Sequence, residues 1–347
     1  MNTRARAQGF AVLWPLVIAC TERTPVAPAD ALVAQMSAGR HRCDPPRVTP
    51  ALAFDNQGTA EGVAVSQEGD VFVGNATSGN AEIWRAPKGD FRQASLLTRL
   101  PGGDLIGLDV DRHGNVYAAL AAPLAPDLHG LWKVRPDATA ERVAAFPASF
   151  ASLPNDVAID PRGNVYVSDS FGGKIWRLTP DGEFSVWAQG ELLRAFFGDF
   201  EFGVNGLVYD RRALYAAITR NGRVIEIPIQ RDGSAGTPAI LVQDDALIGI
   251  DGIEPDAQGN LYVTNNFAST IQRIRRADRL EIETITGEGL SAPASLALNQ
   301  GQRVLYVANL STSAGFPQPY APALVEAEFS APVVACASFN YAAVRRR

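Results

Sequence analysis

An all-β fold, a six-bladed β-propeller of four-stranded antiparallel blades, is what the 347-residue sequence predicts, on three observations. One motif recurs six times, its copies are almost evenly spaced, and no long amphipathic helical pattern separates them.

The fullest copies run over 61–73, 155–167 and 251–263; the one at 155 reads Asn-Asp-Val-Ala-Ile-Asp-Pro-Arg-Gly-Asn-Val-Tyr-Val. A further copy spans 106–117. The copy at 205–215 is one residue short in its turn, and that at 294–306 is one long. Successive starts lie 45, 49, 50, 46 and 43 residues apart. Each copy reads as a hairpin: an alternating strand, a turn of the Asp-x-x-Gly-Asn type, and a second strand rich in Val and Tyr. A third strand follows, as at Ile83-Trp84-Arg85 and Ile175-Trp176-Arg177, and then a fourth, as at Phe184–Ala188. Four antiparallel strands in about 45 residues are the size of one propeller blade. Glu191 to Phe197 reads as one turn of helix.

A ring of blades must close so that no sheet edge is left open. Arg47–Phe54 before the first repeat, with Ala323–Phe329 and Val333–Phe339 after the last, are the segments available for closure. Trp84, Trp132 and Trp176 share one blade position, which assigns them to packing between blades.

The ends of the chain read differently. Arg4 and Arg6 precede an apolar run, Phe10 to Ala19, too short to span a bilayer and suited to a secretory signal over residues 1–20. It ends in Val17-Ile18-Ala19-Cys20, which resembles a bacterial lipoprotein box with Cys20 as the lipidated residue; the alternative is an ordinary signal peptide cut a little later. Residues 21–45 then form a tether, 46–340 the propeller and 341–347 a solvated tail. The expected location is the periplasm or outer envelope, with membrane contact only through lipid on Cys20. Of three cysteines, Cys43 and Cys336 remain, one near each end of the folded part. An oxidising compartment permits a disulfide between them; the alternative is two free thiols. A net charge of −6 argues against nucleic acid, whose usual footprint is a basic face. The protein is expected to be a monomer.

The head of each repeat is the place for chemistry, because the innermost strand of every blade starts near the common axis. The heads are Glu61, Ile106, Asn155, Asn205, Asp251 and Ala294. Two carboxylates and two amides converging there make an all-oxygen site, suited to Ca²⁺ first and Mg²⁺ or Mn²⁺ next, and less to zinc. Asn-Asp, Asn-Gly and Asp-Gly are also common turn dipeptides, but Glu61 is not a turn former.

The motifs Glu61-Gly62, Pro154-Asn155-Asp156, Asn205-Gly206-Leu207 and Asp251-Gly252, in this order and at blade spacing, resemble those of the senescence marker protein, gluconolactonase and luciferin-regenerating enzyme family of calcium-dependent hydrolases. The resemblance covers roughly residues 50 to 310. It implies Glu61, Asn205 and Asp251 as metal ligands, Asn155 as ligand or substrate contact, and Asp251 also as general base. Asp156 either contacts substrate or turns into the blade and bonds backbone. The substrate implied is a small lactone or related ester. One departure stands out: sugar-lactonase members carry an Arg two residues before the Asn, and here that position is Leu153, which favours a more apolar substrate. Phe171, Phe197, Phe200, Phe202 and Phe267 lie on segments that could line the entrance. Only three histidines occur, so a Ser-His-Asp triad is not supported. The competing function classes are a non-catalytic envelope propeller binding a ligand or partner around a structural ion, and a strictosidine-synthase-like condensing enzyme without the metal set.

Overall fold

The structure is a computed structural model and describes residues 42–53, 59–77, 80–147, 150–276, 279–310, 323–333, 336 and 338–339. The signal segment 1–20 with Cys20, residues 21–41 of the tether and the tail 341–347 lie outside the described residues.

Six four-stranded antiparallel sheets form six blades. Blade 1 comprises Thr59–Val65, Val71–Thr77, Asn80–Ala86 and Ser95–Pro101, paired in that order. The innermost strands of blades 2 to 6 are Asp104–Val110, Pro154–Ile159, Val204–Asp210, Ile250–Pro255 and Pro293–Leu298. Each packs against the inner strand of the next blade, and the sixth packs against the first, so the ring is closed. The second strands are covered on both faces. Val116–Ala121 and Ala213–Ile218 are buried at every position, which is why they read as continuous apolar runs rather than alternating ones. The three tryptophans pack between blades: Trp132 lies with Phe72 and Ile83 of blade 1, and Trp176 with Tyr117 and Phe146 of blade 2.

The turn of the repeat has a simple cause. In blade 3, Asp160 accepts the backbone N–H groups of Arg162 and Asn164 at 2.9 and 3.0 Å, and the Asn164 side-chain amide at 2.7 Å. Asp111 and Asp256 make the same three bonds to their own turns. Gly163 sits between at φ 86°, in the left-handed region that suits glycine. The short copy in blade 4 makes a two-residue turn instead, with Arg211 and Arg212 both at positive φ.

Closure uses both ends of the chain. Arg47–Ala53 is the outermost strand of blade 6 and pairs with Ala323–Glu328. Beside this seam Arg42–Cys43 pairs with Ser338–Phe339, and Cys43 and Cys336 are joined by a disulfide with Cα atoms 5.5 Å apart.

One local expectation is corrected. Of Glu191–Phe197 only Glu191–Leu193 is helical, as a 3-10 turn. A two-stranded hairpin follows, Phe196–Phe197 against Phe200–Glu201. Gly198 at φ 60° turns it, and Arg194 pairs with both carboxylate oxygens of Glu201 at 2.7 and 3.0 Å, holding the chain out of a helix.

Candidate functional site

Every inner strand breaks register at the same point. The pairing shifts between Ala60 and Val63, Leu105 and Gly107, Pro154 and Val157, Val204 and Leu207, Ile250 and Ile253, and Pro293 and Leu296. Each shift is a bulge at the head of its blade, and bulges re-aim side chains. They fall on Glu61, Ile106, Asn155, Asn205, Asp251 and Ala294. The residue after the head packs against the next blade in blades 1 to 5. A Cβ on Gly206 would overlap the Asp251 carbonyl oxygen, one on Gly107 would overlap that of Asn155, and one on Gly252 would lie 2.6 Å from that of Ala294. Glycine at these places lets neighbouring heads approach backbone to backbone.

Three of the polar heads are held by a side chain of the same blade, just past the end of its second strand. Asn155 donates Nδ2 to Ser170 Oγ at 2.9 Å, and Asn205 donates Nδ2 to Thr219 Oγ1 at 3.0 Å. Asp251 accepts Asn266 Nδ2 on its Oδ2 at 2.7 Å. In blades 2 and 6, where the heads are Ile106 and Ala294, the matching positions are Ala122 and Leu310. The holders Ser170, Thr219 and Asn266 were not singled out in the sequence. They stand 15, 14 and 15 residues after their heads, and continuing the repeat comparison past the second strand reveals them.

The electrostatics are one-sided. Burial raises the Glu61 carboxyl well above its ordinary value, and the negative charges of Asp251, Asp104 and Asp156 raise it further. Asp251 is pushed up to about 8 by burial and by Asp156, against the opposing bonds from Asn266 and Asn205. Asp109 and Asp156 rise to about 7 and Glu254 to about 8, burial again being the main cause. Among the described residues none of these carboxylates forms a salt bridge with Lys, Arg or His. Buried like charges without a counter-ion cost free energy unless they protonate or meet a cation.

The donor set fits a hard divalent cation. Asn205 is 3% exposed, and its Oδ1 is buried with no hydrogen-bond partner while Nδ2 is engaged by Thr219. A buried carbonyl oxygen left without a donor, on a side chain that also bonds Asp251, is open to an oxygen-seeking cation. Among the described residues no three His, Cys, Asp or Glu side chains are grouped to hold a metal by themselves, so the amide oxygens of Asn155 and Asn205 would have to complete the set.

Asp156 has a different place. Its Oδ1 accepts the Val157 N–H and its Oδ2 accepts the Leu207 N–H of blade 4, both at 2.9 Å. Asp109 likewise reaches Ile159 of blade 3 at 3.0 Å, and Glu254 reaches Leu298 of blade 6 at 3.3 Å. These three carboxylates stitch successive inner strands together.

No family model matches the chain, and no curated protein matches it in sequence. Solved structures do match in fold. A calcium-binding regucalcin from Agrobacterium tumefaciens is 13% identical with a TM-score of 0.61, covering 84% of this chain and 97% of that one. A gluconolactonase from Xanthomonas campestris is 17% identical with a TM-score of 0.59, covering 84% and 98%. A virginiamycin B lyase from Staphylococcus aureus, solved with quinupristin, is 16% identical with a TM-score of 0.53, covering 81% and 98%. At these identities the likeness establishes a shared propeller fold.

Proposed function

We propose that this propeller is a metal-dependent hydrolase of lactones or related esters. The observation that carries the reading is the buried, unpartnered Oδ1 of Asn205, on a side chain that also bonds the carboxylate of Asp251 at the next blade head, where no cationic side chain balances Asp251 or Glu61. The shared fold of gluconolactonase and regucalcin supports it. Glu61, Asn155, Asn205 and Asp251 would hold the ion, with Ca²⁺ first and Mg²⁺ or Mn²⁺ as alternatives. Bound there, the cation supplies Lewis-acid polarisation of a substrate carbonyl and balances the charge that develops on its oxygen. Asp251 is the general base, taking a proton from water through Oδ1 while Asn266 occupies Oδ2. Asn155, steadied by Ser170, orients the substrate or completes the ligand set. The Cys43–Cys336 disulfide supports an exported protein, since such bonds persist in oxidising compartments.

A second reading, a non-catalytic envelope propeller around a structural ion, draws on Leu153 in place of the sugar-binding Arg. Hydrolysis of aliphatic and aromatic lactones and aryl esters, with Ca²⁺ or with chelator, separates the two. Metal-dependent turnover that collapses in Asp251→Asn is expected. Folded protein that binds Ca²⁺ but turns over none of the panel would favour the second reading.

A further inference from the structure

We propose that the substrate carries an apolar chain or ring next to its reacting carbonyl, seated on a wall that runs from Ile106 in the head ring, through Leu153 and Phe202, to Phe197 and Phe267 at the rim. This assignment of substrate class rests on the hydrolase reading above.

The wall begins inside the site. Ile106 is the head of blade 2 and stands in the same ring as the four polar heads. It is buried in one cluster with Ala121, Leu153 and Phe202, and Phe171 and Phe197 pack against that cluster. The rings then continue outward. Phe197 lies 6.2 Å from Phe202 and 6.4 Å from Phe267, while Phe171 lies 4.8 Å from Phe200. Their placement follows from the chain. Phe171, Arg220 and Phe267 each come directly after a holder residue, Ser170, Thr219 and Asn266. The Arg220 guanidinium sits 5.3 Å over the Phe197 ring. The aromatic cluster therefore stands one residue beyond the side chains that fix Asn155, Asn205 and Asp251.

Core packing accounts for Phe202 and Leu153, at 4% and 8% exposure, but not for Phe200 and Phe267, which are 38% and 45% exposed. Open rings placed one residue beyond the side chains that hold the polar heads match the usual composition of a small-molecule site: an apolar wall with a few convergent polar groups. The wall is also pre-formed. Arg223 Nη2 donates to the carbonyl oxygens of Glu191, Leu192 and Arg194 at 3.2, 2.8 and 2.9 Å, and the Arg194–Glu201 pair closes the hairpin that carries Phe197 and Phe200. A rigid wall gives affinity without an ordering cost on binding.

The test uses 2-alkylcyclopentanones, non-hydrolysable ring ketones with methyl, butyl and octyl chains, titrated calorimetrically into the full chain in Ca²⁺ buffer. Hydrolysis of γ-lactones with matching chains is followed in parallel. Affinity is expected to rise about fourfold per added methylene, the gain typical of burying that group. In Phe197→Ala and in the rim variant Phe267→Ala, each checked for folding by circular dichroism, the octyl-to-methyl affinity ratio should fall at least tenfold. Affinity that is flat with chain length, or a ratio unchanged in both variants, would overturn the wall, even if lactones are hydrolysed. Chain-dependent ketone binding without lactone turnover would instead remove the hydrolase reading and leave the wall standing. Flat ketone affinity together with vesicle binding lost in Phe267→Ala would assign the rim to a lipid surface and likewise overturn the proposal.

Discussion

Asn266 donates its side-chain amide to Asp251 Oδ2 at 2.7 Å and reaches the Pro293 carbonyl at 3.3 Å, so one side chain of blade 5 fixes the candidate base and touches the start of blade 6. Ser170 and Thr219 perform the matching task for Asn155 and Asn205. Outer partners of this kind typically govern affinity or activity by about 10–100-fold.

Asn266→Ala is therefore expected to weaken Ca²⁺ binding and lower kcat/KM by about 10–100-fold with little change in Tm. Thr219→Val should do the same through Asn205. Calorimetric Ca²⁺ titration of both variants checks this; wild-type affinity in both would show that the holders do not position the heads.

Gly206→Ala should be severe for so small a change. The added methyl would overlap the backbone carbonyl of Asp251, which a side-chain rotation cannot relieve. The expected cost is about 2–4 kcal/mol, with Ca²⁺ affinity lost alongside stability. A urea melt and a titration on the same sample decide it.

Glu254 contributes to the pH dependence of the metal-free protein alongside the other buried carboxylates. Burial, with Asp109, Asp156 and Asp210 nearby, lifts its carboxyl to about 8 from a usual 4.5. The protonated form is favoured in the folded state. Its stabilisation is complete below about pH 4.5 and is lost as pH rises towards 8. Glu254→Gln keeps an oxygen for the Leu298 N–H and cannot ionise. It should raise stability at pH 8 by roughly 1–3 kcal/mol, allowing for partial solvent access, and change little at pH 4. Urea melts in chelator at both pH values measure the difference, and an unaltered dependence on pH would show that Glu254 does not ionise over this range in the folded protein.

The disulfide closes almost the whole ring, 293 residues apart in sequence. Cys43→Ser is expected to cost about 2–5 kcal/mol, with Arg47–Ala53 the first strand to lose protection in hydrogen exchange.

The fold was legible because blades 2, 3 and 5 repeat the same turn chemistry and the other blades keep its spacing. Asp111, Asp160 and Asp256, each four residues before its Asn, announce hairpins at propeller spacing. The polar heads were legible for the same reason. The holders were not, because Ser170, Thr219 and Asn266 share no residue type; what they share is a position just beyond the second strand, beside a head. Asp109 and Glu254 were missed because three residues past their heads they read as ordinary strand polar groups. Only the ring brings Ile159 and Leu298 of the next blades to them. The hairpin at Phe196–Glu201 was misread because Glu-Leu-Leu-Arg-Ala favours helix locally. The Arg194–Glu201 pair and the three carbonyls held by Arg223 outweigh that preference.

On this reading the blade heads form one oxygen-lined cation site. Calorimetric titration of chelator-treated protein with Ca²⁺ tests it most directly, using wild type, Glu61→Gln, Asn205→Ala and Asp251→Asn. One ion per chain is expected, its binding weakened at least about 100-fold by either carboxylate change and about 10-fold or more by the Asn205 change. No binding to the wild type, or binding that none of the three substitutions alters, would contradict it.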